Sequence, residues 1–64
     1  MKYRIEHIRF ISGQGISYNE TIDNTNTLLT VDELAEFYGD YCEDDDWIEQ
    51  IDNETNEVVS KSRV

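Results

Sequence analysis

The residues TVDE at positions 30–33 form a capping box, and this motif constrains the fold more than any other feature of the chain. The Thr30 hydroxyl can accept a hydrogen bond from the amide of Glu33, while the Glu33 carboxylate can accept one from the amide of Thr30. Leu29 and Leu34 flank the box at the spacing of a hydrophobic staple. The sequence therefore predicts that a helix begins at Thr30.

The predicted helix has one apolar side, which we expect to pack on a sheet. The residues of that side are Val31, Leu34, Ala35, Tyr38, Tyr41 and Cys42, with Phe37 at its edge. Two endings fit the sequence. Gly39 can end the helix in a left-handed conformation, or the helix can continue for one more turn to Tyr41 or Cys42.

Alternating apolar residues on both sides of the helix predict two pairs of strands. The strands are expected at residues 1–11, 16–22, 46–52 and 57–61. Residues 23–27 are expected to form a polar connector and residues 53–56 a turn. In the third strand, Trp47, Glu49 and Ile51 are expected on one face and Ile48 and Gln50 on the other. The predicted fold is α+β, a single domain with a small antiparallel sheet of three or four strands and one helix packed on a face.

The first strand changes its apolar phase near His7. Tyr3 and Ile5 follow one alternation, and Ile8 and Phe10 follow the other. Such a shift predicts either a bulge or a strand that is buried on both faces. His7 itself is expected at an edge or in a turn.

The length of 64 residues limits the size of the core. A chain of this size buries only about 60% of the surface that its unfolded form exposes, so we expect a small core, a homodimer or both. The single cysteine, Cys42, excludes an internal disulfide, and no apolar run is long enough for a signal peptide or a membrane span. The expected location is the cytoplasm.

Positive and negative residues are segregated along the chain. Of the 15 acidic residues, all but Glu6 lie between Phe10 and Ser60, a stretch without Lys or Arg, and the net charge is −10. Direct binding to nucleic acid or to an anionic membrane is disfavoured, because both require a cationic face. The expected partner is a cationic, nucleic-acid-binding protein.

Residues suited to catalysis or metal binding are few. Cys42 lies on the apolar side of the helix, where cysteine usually acts as a small hydrophobe, and no base is predicted beside it. The acidic run at residues 43–46 has carboxylates that suit calcium, but consecutive side chains do not converge on one ion and the EF-hand glycine is missing. The sequence predicts no enzyme activity, no metal and no cofactor.

The outward side of the helix and the segment after it form the candidate partner-binding surface. Asp32, Glu36 and Asp40 recur at i, i+4 spacing, about 6 Å apart along a helix. Like charges at this spacing oppose helix formation by about 0.2–0.5 kcal/mol per pair. Such a row resembles the phosphates of duplex DNA, which follow one another every 3.4 Å or so along each strand.

The complete set of candidate partner-binding residues is Asp32, Glu36, Asp40, Tyr41, Glu43, Asp44, Asp45, Asp46, Trp47, Glu49 and Asp52. The carboxylates would supply charge, and Trp47 and Tyr41 would supply apolar contact.

Residues 28–39, LLTVDELAEFYG, resemble part of the small acidic phage proteins that inhibit uracil-DNA glycosylase by occupying its DNA-binding groove. In that family a short helix of similar pattern follows a hairpin, the protein dimerises, and an exposed aromatic residue assists capture of the enzyme. This chain has a longer C-terminal hairpin, so we transfer no site residue from the resemblance. Anti-restriction and anti-CRISPR proteins of phages share the small acidic character.

Two functional hypotheses follow. The first is a non-catalytic inhibitor, of the phage anti-defence type, that mimics nucleic acid and acts on a DNA- or RNA-processing enzyme in the cytoplasm of a host cell. The second is a small adaptor or structural dimer whose acidity serves only solubility. Binding to a cationic enzyme that weakens steeply with salt would distinguish the first from the second.

Overall fold

The structure, a computed structural model, describes residues 1–11, 13–43 and 45–63. Its elements in chain order are β1 (Tyr3–Ile11), β2 (Ile16–Thr25), α1 (Val31–Tyr38), a 3-10 turn (Gly39–Tyr41), β3 (Trp47–Asp52) and β4 (Val58–Ser62). The strands form one antiparallel sheet in the order β2-β1-β3-β4. Helix α1 packs mainly against β4 and β3. The predicted α+β class and the order of elements are confirmed.

Strand β2 is longer than the sequence predicts. It continues to Thr25, which pairs with Tyr3, so residues 23–25 are part of the sheet rather than a polar connector. Polar side chains are compatible with this strand because it lies at the edge of the sheet and is largely exposed. The carboxylate of Asp23 accepts a hydrogen bond of 2.7 Å from the hydroxyl of Tyr38, and this bond joins the edge strand to the helix.

Strand β1 lies between β2 and β3 and is buried on both faces, which accounts for its change of phase. Ile5 belongs to the core under the helix, whereas Ile8 lies on the opposite face, and both are buried. The pairing of β1 with β3 is continuous. A bulge does exist, but it lies in β2, where Ile22 is the extra residue. The expectation for His7 was wrong: His7 lies within this central strand.

The core lies between α1 and the sheet. Its buried members are Ile5, Leu29, Leu34 and Ile48, and Ile22, Tyr38 and Cys42 pack against them. The capping box is present, with bonds of 3.1 Å from the amide of Glu33 to the Thr30 hydroxyl and 2.9 Å from the amide of Thr30 to the Glu33 carboxylate. Leu29 and Leu34 are buried in the same cluster, as the staple predicts.

The apolar contact of the helix is narrower than predicted. Val31 and Tyr41 are each 51% exposed, so neither is buried against the sheet. Helix α1 has only 8 residues, and the following 3-10 turn has three residues per turn, which takes Tyr41 out of the buried line. Gly39 has a right-handed conformation with φ −59°. The left-handed ending is therefore wrong, and the chain continues its helical path to Tyr41.

Gln50 fixes the segment that leads into the helix. Its side chain is fully buried, its Oε1 accepts a 2.9 Å bond from the amide of Leu29, and its Nε2 donates a 2.8 Å bond to the carbonyl of Thr27. Buried amides are tolerated when both ends are bonded in this way. Gln50 thus joins β3 to the chain before α1 and sets where the helix begins.

Candidate functional site

Four exposed carboxylates follow one another along α1, the 3-10 turn and the start of the next loop: Asp32, Glu36, Asp40 and Glu43. We call this group the acidic surface. The capping box fixes the beginning of α1, and the buried Leu34 fixes its rotation, so these side chains are directed away from the sheet. The carboxylate of Glu33 is engaged in the cap and is half-buried, and we leave it out of the acidic surface.

The spacing of the acidic surface follows from the helical geometry. Asp32 and Glu36 are about 6 Å apart along the axis of α1. Asp40 belongs to the 3-10 turn, where the rise per residue is larger, about 2 Å, so the row extends slightly beyond a regular helix. The negative charge of α1 is thus continued by Asp40 in the 3-10 turn and by Glu43 in the following loop.

None of these carboxylates forms an ion pair among the described residues. The ion pair of Arg4 with Glu6 and the hydrogen bond between His7 and Asp46 both lie on β1 and its contacts. Two further cations, Lys61 and Arg63, lie 4.7 and 4.8 Å from the ring centroid of Trp47. Lys61 and Arg63 are thus engaged away from α1, whereas Arg9 lines a cavity that also contains Glu43. No described cation forms an ion pair with the acidic surface.

Asp46 is the candidate that the structure removes from the surface. It is buried, and its Oδ2 accepts a 2.9 Å bond from His7 Nε2 and a 3.2 Å bond from the amide of Glu43. Burial opposes ionisation of this carboxyl, but the bonds from His7 and Glu43, with the nearby charge of Arg9, outweigh it and hold its pKa below the usual range. Asp46 therefore attaches the loop to β1, and its buried carboxylate is not part of the acidic surface.

Three other candidates also lie apart from the acidic surface. Trp47 and Glu49 are on the sheet face opposite α1, as the predicted alternation of β3 requires, and Trp47 Nε1 donates a 2.8 Å bond to Glu49. The carboxylate of Asp52 accepts bonds from the amides of Glu54 and Thr55 in the next turn. Their side chains stabilise local structure.

Asp45 and Asp44 complete the predicted set. Asp45 is exposed and lines a shallow cavity of about 240 Å³ with Phe10, Trp47 and Arg63, so it lies at the boundary with the opposite face. Asp44 lies outside the described residues. The structure therefore groups Asp32, Glu36, Asp40, Tyr41 and Glu43, and the other described candidates lie apart from them.

Exposed aromatic side chains accompany the acidic surface. Tyr41 is 51% exposed, and Phe37, which was not among the predicted site residues, is 56% exposed on α1. The exposure of Phe37 could have been predicted from its position at the edge of the apolar side, because a short helix buries only the centre of that side. Trp47, in contrast, is half-buried beneath Lys61 and Arg63.

The residues suited to chemistry are engaged elsewhere. Cys42 packs against the core, and burial, with the charge of Asp46, raises the pKa of its thiol. A reactive cysteine needs the opposite shift, because the thiolate is the nucleophile. His7 bonds to Asp46. In the part of the chain that the structure describes, no group of three or more His, Cys, Asp or Glu side chains is placed to hold a metal ion.

Comparisons with known proteins identify no relative. No protein family matches this chain, and neither a curated protein nor a solved structure matches it. Among the residues described, no helix is long and apolar enough to cross a membrane.

Proposed function

We propose that this protein is a non-catalytic inhibitor whose acidic surface occupies the nucleic-acid-binding site of a DNA- or RNA-processing enzyme. One observation carries the proposal: the row Asp32, Glu36, Asp40 and Glu43 is exposed and forms no ion pair among the described residues. Fixed carboxylates at this spacing offer a cationic groove the charge pattern that phosphates otherwise supply.

The row is unfavourable for the isolated protein. Like charges four residues apart on a helix destabilise it by about 0.2–0.5 kcal/mol per pair, and no lysine lies between them. A surface that serves only solubility usually mixes both signs. A cationic partner would relieve the repulsion, and the field of a chain with net charge −10 would accelerate the encounter.

Apolar anchors are available beside the charges. Phe37 and Tyr41 are exposed aromatic residues on the same helical segment. Buried aromatic side chains commonly supply most of the affinity of an interface, while surrounding charges set its specificity and association rate. The two aromatic residues would therefore hold the complex that the carboxylates orient.

The enzyme would meet the inhibitor in the cytoplasm of a host cell. The inhibitor needs no chemistry of its own. The Cys42 thiol is half-buried and its pKa is raised, and His7 is bonded to Asp46. The resemblance of residues 28–39 to phage inhibitors of uracil-DNA glycosylase makes that enzyme the first one to test. Restriction and CRISPR nucleases are the next.

The test compares two double variants with the same change in net charge. Glu36→Lys with Asp40→Lys alters the acidic surface, whereas Glu54→Lys with Glu57→Lys alters the exposed turn between β3 and β4. Inhibition of the enzyme should be competitive with DNA and should weaken steeply as salt rises. The first double variant should lose about 100-fold in affinity, the loss expected when close charge pairs are removed, and the second only a few-fold.

Two results would contradict the proposal. Equal losses in both double variants would mean that net charge, and not this surface, attracts the enzyme. Unchanged affinity in both would leave the acidity as a solubility feature of an adaptor or structural dimer.

A further inference from the structure

The two edges of the sheet are built differently. Strand β4 has 5 residues, carries Lys61, contains a register shift at its pairing with β3, and lies beside α1. Strand β2 has 10 residues, carries neither lysine nor proline, and forms the other edge of the sheet. Short length, lysine, bulges and covering helices are the devices that protect edges from further pairing. The edge at β4 has all of them, whereas β2 has only its bulge.

The accessible part of β2 is residues 16–21. The bulge at Ile22 interrupts the regular pairing, and Tyr38 of the helix reaches β2 only beyond it, at Asp23. Residues 16–21 pair with β1 on one side, so alternate residues direct their N–H and C=O groups to the free side. This segment is about 20 Å long, which is enough for a short additional strand.

The side chains on the two faces of this segment differ. Ile16 and Tyr18 lie on the same face as α1 but beyond its reach, and they are 39% and 56% exposed. The other face carries the small polar side chains of Ser17, Asn19 and Thr21, all exposed. A strand that paired here would gain apolar contact on one face, while its backbone would satisfy the free hydrogen-bonding groups.

We propose that the free edge of β2, residues 16–21, binds an extended cationic segment of a partner protein as an added strand. Glu20 and Asp23 are the charged residues of β2, and the chain carries a net charge of −10, so a basic segment is attracted. A second copy of this chain would bring the same negative charge and be repelled. The choice of a cationic segment rests on the proposed function, but this edge is a separate site from the acidic surface.

The probe is a capped peptide of eight residues that alternates lysine and valine. Its binding is followed by the amide signals of the full chain in nuclear magnetic resonance spectra. The peptide should shift the amides of residues 16–21 and slow their hydrogen exchange. The same peptide with N-methyl groups on alternate residues keeps its charge but loses backbone donors, and it should bind at least about tenfold more weakly.

Two single variants separate this site from the acidic surface. Glu20→Lys should weaken peptide binding about fivefold, because a lysine at the edge repels the cationic peptide where a glutamate attracts it, whereas Glu36→Lys should change it less than about twofold. In the enzyme inhibition assay, the two variants should have the reverse order of effect. If no enzyme is inhibited, peptide binding at β2 can still be tested. If the peptide does not bind, inhibition through the acidic surface can still be tested.

Three results would overturn the proposal. The first is equal affinity for the N-methylated peptide, which would show attraction by charge alone. The second is amide shifts confined to α1. The third is a dimer in sedimentation experiments whose β2 amides are protected from exchange without peptide, because a second copy would then occupy the edge.

Discussion

On the sheet face away from α1, Arg4 is paired with Glu6 and Lys61 lies over the ring of Trp47, whereas the carboxylates of the acidic surface form no ion pair among the described residues. Arg4 also donates bonds to Asn53 and Asn56, so the pair is joined to the turn between β3 and β4. Charge on the sheet face therefore holds strands together. Charge on the acidic surface contributes nothing comparable to the fold and is available to a partner.

The largest expected effect comes from the sheet face. Glu6→Gln should lower the free energy of unfolding by about 2 kcal/mol, because it leaves the Arg4 guanidinium without its carboxylate in a buried setting. The value is below that for fully buried pairs, since the Arg4 side chain keeps 24% of its surface exposed. Thermal unfolding should shift downward by about 10 °C for a domain of this size.

Glu36→Gln is the matched control for this experiment. It removes the same charge from an exposed position and should change stability by less than about 0.5 kcal/mol. Equal destabilisation by both substitutions would show that charge on the acidic surface contributes as much to stability as charge on the sheet face away from α1.

A smaller effect is expected at Asp46, in the loop between the 3-10 turn and β3. The pKa of the Asp46 carboxyl is lowered, so its ionised form stabilises the fold above about pH 4, and this contribution is lost as pH falls through the lower folded value. Asp46→Asn should destabilise the protein by about 1 kcal/mol at neutral pH, through weaker bonds to His7 and Glu43. Urea unfolding of both proteins should show the difference shrinking between about pH 5 and about pH 3.

Asp45→Asn serves as the comparison for Asp46→Asn. Asp45 is exposed, so its substitution should change the free energy of unfolding at neutral pH by less than about 0.5 kcal/mol. The free energies of unfolding of Asp46→Asn and the parent protein should approach each other at low pH. A difference that stays constant down to pH 3 would show that ionisation of Asp46 does not cause the pH dependence of stability.

The smallest expected effect has the opposite sign. Glu36→Lys should stabilise the protein by about 0.3 kcal/mol, because a lysine there lies four residues from both Asp32 and Asp40 on the helical path. Chemical denaturation at low salt would measure the gain, which should vanish at high salt. A loss of stability would mean that the acidic surface has structural partners after all.

Much of the fold could be predicted from local pattern. The capping box at Thr30, the staple of Leu29 and Leu34, and the alternation of β3 each depend on neighbouring residues, and each is confirmed. The errors arose where a residue's neighbours in space decide its state. Val31 and Tyr41 have helical spacing but lie outside a narrow contact, and residues 23–25 are polar but pair with β1.

The candidate site, like the fold, could be predicted only in part. Asp32, Glu36 and Asp40 are exposed, as their helical phase requires. Asp46 could not be distinguished from its acidic neighbours by sequence, because its role depends on His7, which is 39 residues away. The partial burial of Trp47 was missed as well, because Lys61 and Arg63 of the C-terminal segment lie over its indole ring.

The sequence by itself determined the helix, its outward row of acids and the pairing of strands into hairpins, because these depend on contacts a few residues apart. Only the tertiary structure decided that β1 lies inside the sheet, that β2 is left as a free edge, and that Arg4 and Lys61 lie on the sheet face opposite α1. Strand order and burial are set by contacts between distant residues, which local pattern does not specify.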